Sequence, residues 1–90
     1  MNLYLISQDE NMGYDTYDSA VVAAPNEDIA RNTNPAGGPL LNDETAHERS
    51  RWGWHYSSWC SDPSKVKVEL IGTAAENIEQ GVICASFNAG

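Results

Sequence analysis

Asp15 and Asp18 stand three residues apart in the stretch NMGYDTYDSAVVAA, each directly behind a tyrosine, with Asp9 and Glu10 shortly upstream. Carboxylate oxygens are the ligands that Ca²⁺ and Mg²⁺ select, so a DxxD pair first raises cation binding. A calcium loop, however, needs a denser series of oxygen ligands closed by a distant glutamate, and that series is absent. The plainer expectation is that Asp18 and Ser19 bond backbone groups where a strand begins. Tyr14 and Tyr17 combine apolar area with a hydroxyl, which suits contact with a partner or ligand.

His47, His55 and Cys60 are the soft ligand or nucleophile types. Their gaps of eight and five residues match no zinc signature, and a closed tetrahedral site would need Cys84 as well. A Cys–His nucleophile needs an orienting third group that the sequence does not reveal. The expectation for these residues is ordinary packing or surface placement. There is no GxGxxG, P-loop, GxSxG or HExxH pattern, and Gly37-Gly38 lacks the strand-to-helix context of a phosphate cradle. A non-catalytic protein with no cofactor and no metal is therefore expected.

Trp52, Trp54 and Trp59 fall within eight positions and are accompanied by Arg49 and Arg51. Tryptophan, tyrosine and arginine dominate binding hot spots, and the same set suits a stacked nucleotide base with its phosphate on an arginine. The competing expectation is that the tryptophans plug an open face of the core. The candidate binding residues are thus Tyr14, Asp15, Tyr17, Asp18, Arg49, Arg51, Trp52, Trp54 and Trp59.

The chain that must position them has 90 residues, enough for one small domain in which core burial is limited. Thirteen carboxylates against five Lys and Arg give a net charge of −8, and residues 1–48 hold nine of those carboxylates with only Arg31 opposing them. Such a chain is repelled by phosphate backbones and anionic membranes, so neither direct nucleic-acid binding nor membrane association is expected. No run approaches the length of a membrane span, and MNLYLISQDEN lacks the basic and apolar regions of a signal peptide, which points to the cytoplasm. Cys60 and Cys84 are expected as free, largely packed thiols in that reducing compartment.

Residues 2–8 place Leu3 and Leu5 on one face of a strand and Tyr4 and Ile6 on the other, the pattern of a central strand. Gly13 lies in a polar loop that turns the chain back, and residues 17–24 form a second, antiparallel strand ended by Pro25. Asn26 caps a short helix with Glu27 and Asp28 in its first turn, Ile29, Ala30 and Thr33 on one stripe, and Pro35 as its stop. Residues 36–64 read as a variable excursion loop that carries the tryptophans. KVKVELIG alternates Val66, Val68 and Leu70 against Lys65, Lys67 and Glu69, a strand with one solvated face. TAAENIEQG reads as a connection of one helical turn, and GVICASFNAG as a last strand whose two apolar faces predict a central position. The sum is an α+β domain, β-β-α-loop-β-β, with a four-stranded, mainly antiparallel sheet and one helix on one face. One helix covers little sheet, so a homodimer or higher oligomer is expected.

LYLISQ, GYDTYDSAVVAA, ARNTNP, KVKVELIG and GVICASFNAG together resemble a family of small bacteriophage and prophage proteins with no assigned activity. The resemblance implies a phage accessory protein in a bacterial host and assigns no role to any residue. In that context the leading expectation is an inhibitor of a host antiphage defence system, of anti-CRISPR or anti-restriction type, whose acidic face competes for a nucleic-acid-binding surface. The alternatives are an oligomeric sponge for a nucleotide immune signal and a minor virion or assembly protein.

Overall fold

The computed structural model describes residues 1–35 and 58–88. Four strands, β1 (Asn2–Ser7), β2 (Thr16–Ala24), β3 (Lys67–Thr73) and β4 (Gly81–Asn88), accompany one helix, α1 (Glu27–Arg31), and a 3-10 turn over Pro63–Lys65. The strands form one sheet in the order β3-β1-β2-β4, and every neighbouring pair is antiparallel. This is the expected α+β architecture.

The alternation in β1 and β2 sets the two sides of the sheet. Tyr4 opposes Val22 and Ile6 opposes Ala20 across the β1–β2 ladder, and Ile6 opposes Val68 across β1–β3. Those side chains join Ala24, Ile29, Ala30, Trp59, Cys60 and Val66 in one core under α1. Ile6, Val22, Ile29 and Trp59 are fully buried, each worth roughly 1.5–3 kcal/mol or more in removed apolar surface. Leu3, Leu5 and Val21 are only half-buried on the other side, which no described helix covers.

Asn26 caps α1 as expected, its Oδ1 accepting from Ile29 N–H at 2.9 Å. The helix is shorter than the stretch up to Pro35 suggests, because it ends at Arg31 with Asn32 as its C-cap. Thr33 lies beyond it and donates its hydroxyl to the Ile29 carbonyl at 2.7 Å. Arg31 pairs with Glu27 at 2.7 Å and donates to the Val66 carbonyl at 2.6 Å, tying the helix to the start of β3.

Three sequence expectations are corrected. β4 is an edge strand, not a central one, and residues 82–88 are all exposed. Apolar side chains on both faces of a strand do not by themselves require cover or a second neighbour, and those of β4 stand exposed among the described residues. The third strand begins at Lys67, since Lys65 belongs to the 3-10 turn, and Leu70 on its inward parity is 62% exposed at the sheet edge. The connection before β4 carries no helix; it turns through an Ile78 N–H to Ala75 carbonyl bond of 3.0 Å and enters β4 at Gly81, whose φ of +140° suits glycine.

Candidate functional site

β1 leaves the sheet at the end where β2 and β3 begin and β4 finishes, since Ser7 pairs with both Ser19 and Lys67, and Thr16 pairs with Asn88. The β1–β2 connection and the segment from Ser58 to Val66 therefore meet at one end of the sheet. Gln8 organises them. It continues the inward parity of Tyr4 and Ile6 and is 3% exposed. Its Oε1 accepts from the N–H groups of Glu10 at 2.9 Å and Asn11 at 2.8 Å. Its Nε2 donates to the carbonyls of Asn11 at 2.7 Å and Tyr17 at 2.9 Å. A buried amide with both ends satisfied holds the loop as a surrogate turn backbone.

Further bonds pin the loop from both flanks. Asn11 donates to the Trp59 carbonyl at 3.1 Å, Tyr17 N–H to the Ser58 carbonyl at 2.8 Å, and Ser61 Oγ to the Glu10 carboxylate at 2.6 Å. Lys67 pairs with Asp9 at 3.0 Å and holds that carboxyl below its ordinary range by hydrogen bond and charge. On the β4 side, Asp15 N–H donates to the Asn88 carbonyl at 2.6 Å and Asn88 Nδ2 to the Gly13 carbonyl at 3.2 Å. Thr16 Oγ1 closes the turn on the Gly13 carbonyl at 2.6 Å.

The candidate residues fare differently within this frame. Tyr14 is 78% exposed at the loop tip beside exposed Met12. Asp15 is exposed, and its φ of +58° puts it in the left-handed region that aspartate and asparagine tolerate better than most residues. Among the described residues the ion pairs are Arg31–Glu27 and Lys67–Asp9, so Asp15 carries no counter-charge there. Asp18 is half-buried at a register shift between Tyr17 and Ser19, accepting the Ser19 hydroxyl at 3.0 Å and, through its carbonyl, Gln8 N–H at 3.2 Å. The two aspartates thus have separate settings and do not act as a pair. Among the described residues no three His, Cys, Asp or Glu side chains gather as a metal-ligand set.

Tyr17 packs against the core and stacks obliquely on Phe87, with centroids 4.7 Å apart and planes at 57°. Trp59 is fully buried in the same core as α1, which corrects both expectations for it: it lies on the helix-covered face rather than capping the open one, and it presents no surface to a partner. Its indole Nε1–H has no hydrogen-bond partner among the described residues. Arg49, Arg51, Trp52, Trp54, His47, His55 and Gly37-Gly38 lie outside the described residues. Neither cysteine is in a disulfide; Cys60 is packed as expected, whereas Cys84 is exposed on the edge strand β4, which corrects the expectation of packing there. Cys60 is buried beside Trp59, and desolvation, helped by the nearby Glu10 and Asp62 charges, pushes its thiol up to about 11. That is the opposite of an activated nucleophile.

Gln8 and Asn11 are the residues that the chemistry-first reading passed over. The signal for Gln8 was present, since strand parity places it on the inward face after Tyr4 and Ile6. No described helix is long and apolar enough to cross a membrane. Comparison with protein-family models, curated proteins and solved structures gives no match to this chain.

Proposed function

We propose that this chain is a small acidic phage accessory protein that works by binding, without catalysis, in the cytoplasm of a bacterial host. In this reading it inhibits a host defence protein, setting carboxylates on a basic surface that otherwise takes nucleic-acid phosphates. The observation that supports the reading is the braced β1–β2 loop, which holds Asp9, Glu10, Asp15, Met12 and Tyr14 outward at one end of the sheet. A loop already fixed by Gln8 and Asn88 loses little conformational entropy on docking. Exposed carboxylates around an exposed tyrosine and methionine combine electrostatic steering with an apolar anchor. The charge of −8 favours a cationic target and disfavours direct binding of nucleic acid.

The test is capture from the lysate of a phage host on the immobilised chain, followed by competition of the captured protein with its nucleic acid. A defence nuclease or its complex, displaced by Tyr14→Ala and by Asp15→Asn, is the expected result. Asparagine keeps the left-handed backbone accessible, so Asp15→Asn should leave the melting temperature within about 2 °C while weakening binding. Capture of phage structural proteins, or a nucleotide retained by the purified chain, would replace this reading with one of its alternatives. Loss of fold in Asp15→Asn would return that residue to a purely structural role.

A further inference from the structure

The two edges of the sheet differ in how they meet solvent. β3 carries Lys67 and Glu69, both exposed, and a register shift beside Leu3 and Tyr4 interrupts its ladder. Charges and bulges are the usual devices that keep an edge from pairing with another strand. β4 reads GVICASFN and has no charged residue and no proline. Its extra residue falls toward the Gly81 end, at Ile83, which leaves Cys84, Ala85 and Ser86 consecutive in the ladder with Val21, Ala20 and Ser19. Val82, Ile83 and Phe87 are 41%, 48% and 46% exposed, three of the large apolar side chains the described residues leave open. One side of its backbone pairs with β2, and the other has no strand beside it among the described residues.

We infer that the β4 edge is a self-association surface, on which a second copy of this chain pairs antiparallel, β4 against β4. The occupant follows from charge and symmetry. Strand addition takes its affinity from main-chain hydrogen bonds and its specificity from the side chains that meet across the new ladder, and an uncharged edge offers a charged foreign strand nothing to pair with. A second β4 needs no complementary charge, and it meets no like charge although each chain carries −8. Antiparallel pairing of identical strands is self-complementary under a twofold axis, and the middle of β4 places that axis at a like pair, Cys84 opposite Cys84 or Ala85 opposite Ala85. The product is one continuous sheet built from two four-stranded halves. Its acidic loop ends point in opposite directions, because the axis reverses the strands. This surface is separate from the loop end and stands or falls independently of the proposed target.

Sedimentation of the full chain over a concentration series tests it, with a short bis-maleimide as the reporter of geometry. The expected result is a reversible dimer that crosslinks through Cys84, with the crosslink lost in Cys84→Ser and retained in Cys60→Ser. Cys84→Lys places two ammonium groups near the axis and should weaken self-association by about tenfold or more, while Leu70→Lys on the β3 edge leaves it unchanged. Circular dichroism confirms that each variant folds, and Ser86→Lys serves if Cys84→Lys does not. A dimer lost in Leu70→Lys, or one indifferent to substitution on both edges, would overturn the inference. So would a monomer at every concentration. Slow amide exchange along β4 in that monomer would assign the edge to another part of this chain, and fast exchange would leave it for a strand of a different protein.

Discussion

Replacing Gln8 by alanine should loosen one end of the sheet and lower global stability. The side chain makes four hydrogen bonds, two as acceptor and two as donor, at 2.7 to 2.9 Å. At about 1 kcal/mol net for each bond the upper bound is about 4 kcal/mol. Glu10 is exposed and Asn11 half-buried, so water reaches their backbone groups in the variant and recovers part of that sum. The Tyr17 carbonyl sits deeper, at a half-buried residue against the core, and recovers less. The expected cost is therefore about 2 kcal/mol, a melting temperature lower by roughly 10 °C for a domain of this size. Urea unfolding should show the midpoint falling with the slope unchanged. Gln8→Glu separates the donor half from the acceptor half, because a carboxylate faces the Asn11 and Tyr17 carbonyls with no proton to give. Its folded-state pKa is then raised, so the variant is most stable in acid and loses stability as pH rises above the ordinary glutamate range. A Gln8→Ala variant within about 0.5 kcal/mol of the parent, or a Gln8→Glu variant with no such pH dependence, would refute the claim that this amide braces the loop.

Trp59→Phe removes a buried donor that finds no acceptor among the described residues, so its loss of volume is partly offset and the net change should stay within about 1 kcal/mol, against about 3–5 kcal/mol for Trp59→Ala, by urea titration. Cys60, pushed up to about 11 from an ordinary value near 9 by burial, holds its proton longer when folded than when unfolded. Stability should therefore decline as pH rises from 9 toward about 11, and Cys60→Ala should lack that part of the decline. Asp62 caps the 3-10 turn by accepting Ser64 N–H at 2.8 Å, which holds its carboxyl below the ordinary range. Asp62→Ala should cost about 0.5–1 kcal/mol at neutral pH, and the difference should shrink as pH falls through that depressed pKa and the charge is lost; Asp62→Asn, which still accepts the bond without the charge, should lie between the two at neutral pH and lack that pH dependence.

How far the fold was legible depends on what kind of information each element carries. In β1 and β2 the period-two alternation assigns faces directly, and Asn26 announces α1 through its own side chain. Neighbour relations are different. The residues of β4 state which positions share a side, but nothing in GVICASFN says how many strands flank it. Leu70 has the right parity for the core and is exposed because parity does not encode where the covering layer ends. The loop site was legible in its exposed members, Tyr14 and Asp15, and hidden in its supports. Gln8 and Asn11 act through contacts with residues such as Tyr17 and Trp59, which only the fold brings near.

The pinning of Gly13 and Asp15 by Asn88 also bears on when the loop can form. The Gly13–Asn88 contact spans 75 residues, so it belongs to the slowest class of events for a small domain, those that wait on distant parts of the chain. During synthesis β1 and β2 emerge early and can pair, yet the tip that carries Tyr14 gains this anchor only after β4 has left the ribosome and joined β2. Until then β2 is itself an open edge, with Val21 and Val22 available to other chains. The acidic loop acquires its final shape as the last act of folding, and truncation within β4 would release it.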